Sequence, residues 1–244
     1  MIACLLAWLA LAPLQDVPEV RQLVTFKFSP GKSREAVALF RDEALPLYEA
    51  TAPMLRFRGF REAESPEPLD LIVVSTFHGM AGMDASNRTL RERAEKANTS
   101  MGELYARIGA LTEHHRDEFI EIDPDLSWGS TDTAPLVVLV SIRIAPGKSA
   151  SYEALVRDGL VPWEKKLGAE FGAEFGAKFT GCDGGPFLLS SGWDYVRLIG
   201  ISTLGDWHRY VRDRRSQAFW RALDGLITQS KEIILAPLPE LRVR

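Results

Sequence analysis

Cysteine and histidine are scarce in this sequence, and basic residues are not in excess. The 244 residues include two cysteines, Cys4 and Cys182, and four histidines. Two cysteines cannot form a disulfide framework or a thiolate metal site, and the histidine spacing matches no zinc signature. The formal net charge is -4 at pH 7, whereas nucleic-acid binding needs a basic surface. We therefore predict no metal and no nucleic-acid partner.

The N-terminal apolar run is too short to be a membrane span. It covers residues 2–14, fewer than a transmembrane helix needs. Its length is typical of a signal peptide, and residues 10–12 offer a small-x-small cleavage site, although no Lys or Arg precedes the run. We predict a signal peptide at residues 1–15 and a secreted or periplasmic protein. The alternative is a buried or frayed N-terminus in a cytoplasmic protein.

The chain contains an internal repeat. Pro-Gly-Lys-Ser occurs at residues 30–33 and again at 146–149, and residues 24–46 and 140–162 share ten identities. An alternating apolar segment precedes each turn and an amphipathic segment follows it, which predicts a strand before each turn and a helix after it. We expect Ser33 and Ser149 to cap these helices.

Each copy continues with the same order of predicted elements. Two further strands, a second helical region and a closing strand follow the first helix, so each copy is strand, helix, strand, strand, helix, strand. We expect His114 and His115 to be surface residues at a helix end. The predicted later strands are residues 55–61, 71–77 and 118–122 in the first copy and 198–204 and 232–235 in the second, with a glycine-rich loop at 168–185 and a linker at 128–135.

This order predicts an α+β fold. Strand-helix-strand-strand-helix-strand is the split βαβ arrangement of ferredoxin-like domains, which leaves one sheet face uncovered. We predict two tandem ferredoxin-like (βαββαβ) halves, at residues 18–126 and 134–244, that pack sheet to sheet as an intrachain dimeric α/β barrel. Because each half covers the other, the chain is predicted to be a monomer.

The second copy resembles a NIPSNAP-type domain of the dimeric α/β-barrel superfamily. The similarity rests on residues 144–148, 160–164 and 231–239, covers residues 136–241, and extends more loosely to residues 20–126. None of these motifs is catalytic. Antibiotic-biosynthesis monooxygenases and haem-degrading enzymes share the architecture. In the haem-degrading enzymes a helix histidine ligates iron. Leu223 stands at the matching position here, so the resemblance implies no haem. No flavin or nucleotide motif is present in the sequence, and we predict no cofactor.

Candidate ligand-binding residues come from both copies. Lys27 and Arg143 occupy matching strand positions, where they either approach a cavity between the sheets or are solubilising charges at strand ends. Histidines and aromatic residues can line an apolar pocket, but surface histidines and core aromatics are the alternative. The remaining candidates are His78, Trp193, Tyr195 and His208.

The sequence contains no recognisable set of nucleophile, base and orienting residue. Catalytic residues therefore remain unassigned. We predict a NIPSNAP-like protein that binds a small apolar molecule. The alternatives are a cofactor-independent monooxygenase, in which the substrate itself reduces dioxygen, and a non-catalytic structural or interaction module.

Overall fold

The structure is a computed structural model that describes residues 17–48, 54–63, 70–175, 178–190 and 192–243. The predicted signal peptide lies outside these residues. Within them the chain is α+β, as predicted, with one large antiparallel sheet. No helix in the described part of the chain is both long and apolar enough to cross a membrane.

The strands form a closed barrel. Their order is β4-β1-β3-β2-β9-β6-β8-β7-β5, and β4 also pairs with β7. This last pairing joins the ends of an eight-strand series, while β5 extends beyond it on the edge of β7. The strands are β1 (Glu19–Phe28), β2 (Met54–Glu62), β3 (Leu71–His78), β4 (Thr112–Ile122), β5 (Trp128–Gly129), β6 (Leu136–Ile144), β7 (Phe179–Leu189), β8 (Tyr195–Ile201) and β9 (Ile227–Val243).

The helices pack on the outside of this barrel in two groups. In each group a short helix after the first strand widens into a π turn and then continues as a second helix; the π turns are Phe40–Ala44 and Val156–Leu160. The helices are α1 (Ser33–Leu39), α2 (Leu45–Tyr48), α3 (Gly79–Lys96), α4 (Met101–Ala110), α5 (Ser149–Leu155), α6 (Val161–Phe175), α7 (Leu204–Arg212) and α8 (Arg214–Ala222).

The repeated Pro-Gly turns are formed, but their serines do not cap the helices. Gly31 and Gly147 have φ angles of 76° and 74°, a conformation that glycine adopts without strain. Lys32 and Lys148 occupy the N-cap positions, and neither makes a side-chain cap hydrogen bond. The capping prediction was therefore wrong, because each helix begins at the serine itself.

Three apolar clusters hold the fold together. One lies inside the barrel and includes Leu23, Val74 and Leu139, and the other two lie between the sheet and each helix group. Alternation along the strands divides the side chains between the barrel interior and the helix-covered face. A ligand cavity in this fold would therefore lie either inside the barrel or between the sheet and one of the helix groups.

Two predicted irregular segments are ordered elements instead. Residues 168–185 were expected to be an extended loop, but α6 continues to Phe175 and β7 begins at Phe179. In the predicted linker, Trp128 and Gly129 form β5 against β7, and Thr131 is buried. Glycine lets these segments pack closely: a Cβ on Gly181 would lie 2.5 Å from the Trp128 carbonyl oxygen.

Candidate functional site

A cavity lies between the sheet and the first helix group. Its volume is about 560 Å³, within the usual range for small-molecule sites. The strands β1, β2, β3 and β4 form one wall, and α2, α3 and α4 form the other. The residues that line it include Gln22, Phe26, Phe40, Tyr48, Phe57, Val73, Ser75, Met83, Asn87, Leu90, Arg91, Met101, Tyr105, His115 and Asp117.

The inner part of the cavity is apolar and largely aromatic. Phe26 stacks on Phe28 with ring centroids 5.6 Å apart and meets Phe40 edge-on at 5.4 Å. Tyr48 stacks on Phe57 at 4.9 Å. Aromatic surfaces of this kind favour a flat apolar ligand, because they provide large contact areas at little cost in side-chain entropy.

The mouth of the cavity is polar. Asn87, Arg91, Tyr105 and His115 line the cavity and are exposed to solvent. Arg91 makes no ion pair with any residue in the described part of the chain, so its charge is available to a ligand. A bound molecule would place its apolar body inside and its polar edge at this mouth.

His115 and Asp117 form a close pair on β4. Residues two apart on a strand point to the same side, and His115 Nε2 lies 3.6 Å from Asp117 Oδ2. Gln22 on β1 donates a hydrogen bond of 2.8 Å from Nε2 to Asp117 Oδ1. The His115 ring also stacks on Phe26, with centroids 6.1 Å apart. The carboxylate is thus held from one side and faces an imidazole on the other, an arrangement suited to general-base chemistry.

Two tyrosines link the helices at this site. The hydroxyl groups of Tyr48 on α2 and Tyr105 on α4 are 3.3 Å apart. Burial, followed by the interaction with Tyr105, raises the pKa of Tyr48 well above its ordinary value. Tyr48 therefore stays a neutral phenol that can donate a hydrogen bond.

The corresponding space in the second half is filled. Trp163 stacks on Phe219 at 5.5 Å, and Trp207 stacks on Tyr210 at 5.2 Å. Beside Glu164 a void of about 10 Å³ remains, room for about one water molecule. Of the aromatic residues that suggested a pocket in the second copy, Tyr195 belongs to the core, whereas Trp193 does not.

A buried ion pair occupies the centre of this second-half core. Arg197 and Glu164 have side chains 2% and 5% exposed, and Arg197 Nη2 lies 2.5 Å from Glu164 Oε2. Trp128 Nε1 donates to the same carboxylate oxygen at 2.9 Å. Arg197 also donates to the sulfur of Cys182 at 3.2 Å, and burial raises the pKa of that thiol to about 12.

The residue expected to match the iron-ligating histidine of haem-degrading enzymes is part of the core. Leu223, at the position expected to match the iron-ligating histidine, is 2% exposed and belongs to the apolar cluster under the helices. Its side chain has no atom that ligates iron. In the described residues, no group of three or more His, Cys, Asp or Glu side chains is arranged to hold a metal ion.

Lys27, Arg143 and Trp193 do not line the cavity. Lys27 lies opposite His114 in the pairing of β1 with β4. Arg143 is exposed, donates from Nε to the Gly192 carbonyl at 2.7 Å, and places its guanidinium 5.7 Å from the Trp193 ring centroid. The structure thus brings two of the predicted site residues, Arg143 and Trp193, together at a strand end.

His78, His208 and Tyr195 are also outside the cavity. His78 is exposed at the start of α3, and His208 is exposed on α7. Tyr195 is buried against Tyr152, with centroids 4.8 Å apart, and donates to Glu153. Burial, followed by Glu153, raises the pKa of Tyr195 to about 12. His78 ends β3 and Tyr195 begins β8, which are not neighbouring strands, and His208 is on a helix.

Sequence reasoning missed Gln22, His115, Asp117 and Arg91. His115 was expected at a helix end, but β4 begins at Thr112, so His114 and His115 point to opposite sides of a strand. The spacing of His115, Asp117 and Phe119, each two residues apart, was the available signal. The helical pattern of the preceding residues instead favoured a helix end at His115.

Comparison with known proteins identifies the fold. No family model matches the sequence, and no curated protein matches it. The structure is similar to a proposed monooxygenase from Lactobacillus acidophilus NCFM, with a TM-score of 0.60 and 8% identity over 93% of this chain and 96% of that one. A proposed monooxygenase from Fusobacterium nucleatum gives a TM-score of 0.61 and 10% identity, over 91% of this chain and 93% of that one.

Two further solved structures were also matched. An anthrone oxidase-like protein matches with a TM-score of 0.57 and 12% identity, over 92% of each chain. A NIPSNAP domain protein from Burkholderia xenovorans is 21% identical but covers 43% of this chain, with a TM-score of 0.34. At these identities the two proposed monooxygenases and the anthrone oxidase-like protein show the dimeric α/β-barrel fold alone, and the NIPSNAP resemblance stays a prediction.

Proposed function

We propose that the chain binds a small, mostly apolar molecule in the cavity under its first helix group. The cavity of about 560 Å³, with its aromatic interior and polar mouth, carries this proposal. A ligand with one flat apolar body and one polar edge satisfies both regions. Arg91 favours a polar edge that is negative or rich in acceptor atoms.

Binding of an apolar dye tests this proposal. N-phenylnaphthylamine is neutral and fluoresces in apolar sites, and we expect it to bind the purified protein. The substitution Met83→Trp, on α3 at the cavity wall, should weaken binding about tenfold, a loss of about 1.4 kcal/mol, because the larger ring occupies the space. Met80→Trp is the matched control, since Met80 lies on the same helix, is 44% exposed, and does not line the cavity. Equal binding by both variants would contradict the proposal.

A second candidate is a cofactor-independent oxygenase, favoured by the pair His115 and Asp117 at the mouth. In this reaction His115 removes a proton from an acidic methylene group of the substrate, and the carbanion reduces dioxygen. The resulting hydroperoxide loses water to leave a carbonyl. One dioxygen is consumed per methylene, since one oxygen atom enters the carbonyl and the other leaves as water with both hydrogens.

Dioxygen uptake with anthrone as the probe tests this candidate. The name of one similar structure motivates that choice of substrate. We expect His115→Gln to lower the rate by about 100- to 10,000-fold, the usual contribution of a general base. His114→Gln is the matched control, because the neighbouring strand residue points to the other side of the sheet. No uptake above the uncatalysed rate would remove this candidate and leave the binding function.

We further propose that the chain is a fused pseudo-dimer of two NIPSNAP-like halves at residues 18–126 and 134–244. The strand orders β4-β1-β3-β2 and β9-β6-β8-β7 support this division. When the second set is counted from β6 as its first strand, both orders read 4-1-3-2. Light scattering should then give the mass of one chain.

Export stays a prediction that N-terminal sequencing of the secreted protein would test. If neither dye nor anthrone binds, a structural or interaction module becomes the better interpretation.

A further inference from the structure

Arg58 and Arg242 face each other across the seam between β2 and β9. They are register partners in this antiparallel pairing, next to an irregularity at Gly59. Both line a cleft of about 380 Å³. Like charges directly opposite each other weaken a strand pair, so this arrangement calls for a compensating group.

Neither arginine pairs with a carboxylate in the described part of the chain. Arg58 Nη1 donates to the Thr131 carbonyl at 2.8 Å, and its guanidinium lies 4.7 Å from the Phe60 ring centroid. Arg242 Nη2 lies 3.5 Å from the Asp132 carbonyl oxygen. These contacts hold the two side chains in place, but neither guanidinium group forms an ion pair with a carboxylate in the described residues.

The nearby carboxylates are already bound by other arginines. Glu19 pairs with Arg21 at 2.7 Å and with Arg56 at 2.5 Å. Asp183 pairs with Arg21 at 2.9 Å, and Asp132, which also lines the cleft, pairs with Arg56. With Arg58 and Arg242 included, this cluster holds four guanidinium groups and three carboxylates.

The surplus positive charge acts on Arg58. The pKa of Arg58 is lowered to about 10, mainly by burial; the charge of Asp132 raises it, and the charges of Arg242, Arg21 and Arg56 lower it. An anion between Arg58 and Arg242 would relieve this repulsion. The excess of arginines over carboxylates in this cluster of described residues therefore favours a bound anion in the cleft.

Asp132 and Thr133 also line the cleft, and the rest of its wall is largely apolar. The apolar part is formed by Pro237, Leu238, Pro239 and Leu241 of β9, together with Ala134 and Pro135 before β6. Inorganic anions gain nothing from such walls, whereas the hydrocarbon part of an organic acid does.

We propose that this cleft binds a small organic acid, whose carboxylate bridges Arg58 and Arg242 and whose apolar body packs on the proline and leucine walls. The site is separate from the cavity of the proposed function, because neither arginine lines that cavity. Its occupancy therefore does not depend on that function.

Calorimetric titration with benzoate tests the proposal. Benzoate carries one carboxylate on a compact apolar ring, and benzyl alcohol provides the neutral match. We expect benzoate to bind, and Arg242→Gln and Arg58→Gln each to weaken binding about tenfold, the loss expected for one charge-assisted contact. Arg61→Gln is the matched control, since Arg61 is on β2, is exposed, and does not line the cleft.

The two arginine variants keep the test decisive. If Arg58→Gln disturbs the β2–β9 seam, which circular dichroism would reveal, Arg242→Gln near the end of β9 still gives the result. Inorganic phosphate should bind more weakly than benzoate. The proposal is wrong if benzoate does not bind, if benzyl alcohol competes equally, if phosphate binds more tightly, or if Arg61→Gln weakens binding as much as Arg242→Gln.

Discussion

Val73 and Arg197 occupy the same register position in β3 and β8. Val73 pairs with Val24, and Arg197 pairs with Val140, the residue that matches Val24 in the repeated segment. Val73 lines the cavity, whereas Arg197 fills the corresponding space and binds Glu164. The copy with valine at this position has an open cavity, and the copy with arginine has a filled core.

The helix position opposite this pair differs in the same way. Tyr48 in the first copy matches Glu164 in the second, sixteen residues after their respective lysines in the Pro-Gly-Lys-Ser turns. Tyr48 lies at the edge of the cavity, while Glu164 accepts hydrogen bonds from Arg197 and Trp128. The two substitutions depend on each other, because an arginine or a glutamate alone would leave a buried charge unpaired.

Arg197→Met should destabilise the protein strongly. The substitution leaves Glu164 buried without its cationic partner, and removal of one partner of a buried pair costs about 3–5 kcal/mol. Urea unfolding followed by circular dichroism measures this free energy.

A second substitution separates the charge effect from lost packing. Glu164→Gln keeps an acceptor for Trp128 but removes the charge, so the double variant should be more stable than Arg197→Met alone. Additive destabilisation would show that the ion pair is not the cause.

The sequence predicted the α+β class and most of the strands, because alternation and turn glycines are local signals. Val24, Phe26 and Phe28 alternate with polar residues, and Gly31 and Gly147 both have the positive φ that their turns require. The same kind of signal failed for residues 168–185. There, glycine permits close packing between neighbouring elements and does not mark a loop.

The candidate site was not predictable, because it depends on which strands become neighbours. Gln22 and Asp117 are 95 positions apart in sequence and meet only through the pairing of β1 with β4. The predicted strands 71–77 and 198–204 also do not match residue by residue from their first positions: Leu198 holds the place of Val74, since their partners Leu139 and Leu23 match. The cavity follows from this true register.

Gly185→Ala should weaken the closure of the barrel. A Cβ on Gly185 would lie 1.9 Å from the Glu121 carbonyl oxygen, so β7 and β4 would have to separate where the ring of strands closes. We expect a loss of about 1–3 kcal/mol in the free energy of unfolding, typical of overpacking.

Gly102→Ala provides the control for this change. A Cβ there would have Ser100 Oγ as its neighbour at 3.8 Å, and Gly102 lies in α4, so the substitution should be neutral or stabilising by up to about 1 kcal/mol. Similar losses for both variants would refute a specific role for close strand contact at Gly185.

Cys182 should be unreactive in the folded protein. Its side chain is fully buried, and burial raises its pKa to about 12, so little thiolate forms near neutral pH. In a Cys4→Ser background, we expect Ellman's reagent at pH 8 to label Cys182 only after denaturation. A cysteine introduced by Met80→Cys, at a position 44% exposed, should react at once in the native state. Rapid labelling of native Cys182 would contradict its placement in the core.

The same thiol should make stability depend on alkaline pH. Burial raises the pKa of Cys182 from 9.0 to about 12 on folding, so between these values the unfolded thiol ionises while the folded one keeps its proton. The unfolded state then binds fewer protons, and the free energy of unfolding falls as pH rises through this window. Below pH 9 this contribution is constant. We expect urea unfolding to show a steeper fall from pH 9 upward for the protein with Cys182 than for Cys182→Ala, both in the Cys4→Ser background. Parallel curves would show that Cys182 ionises equally in both states.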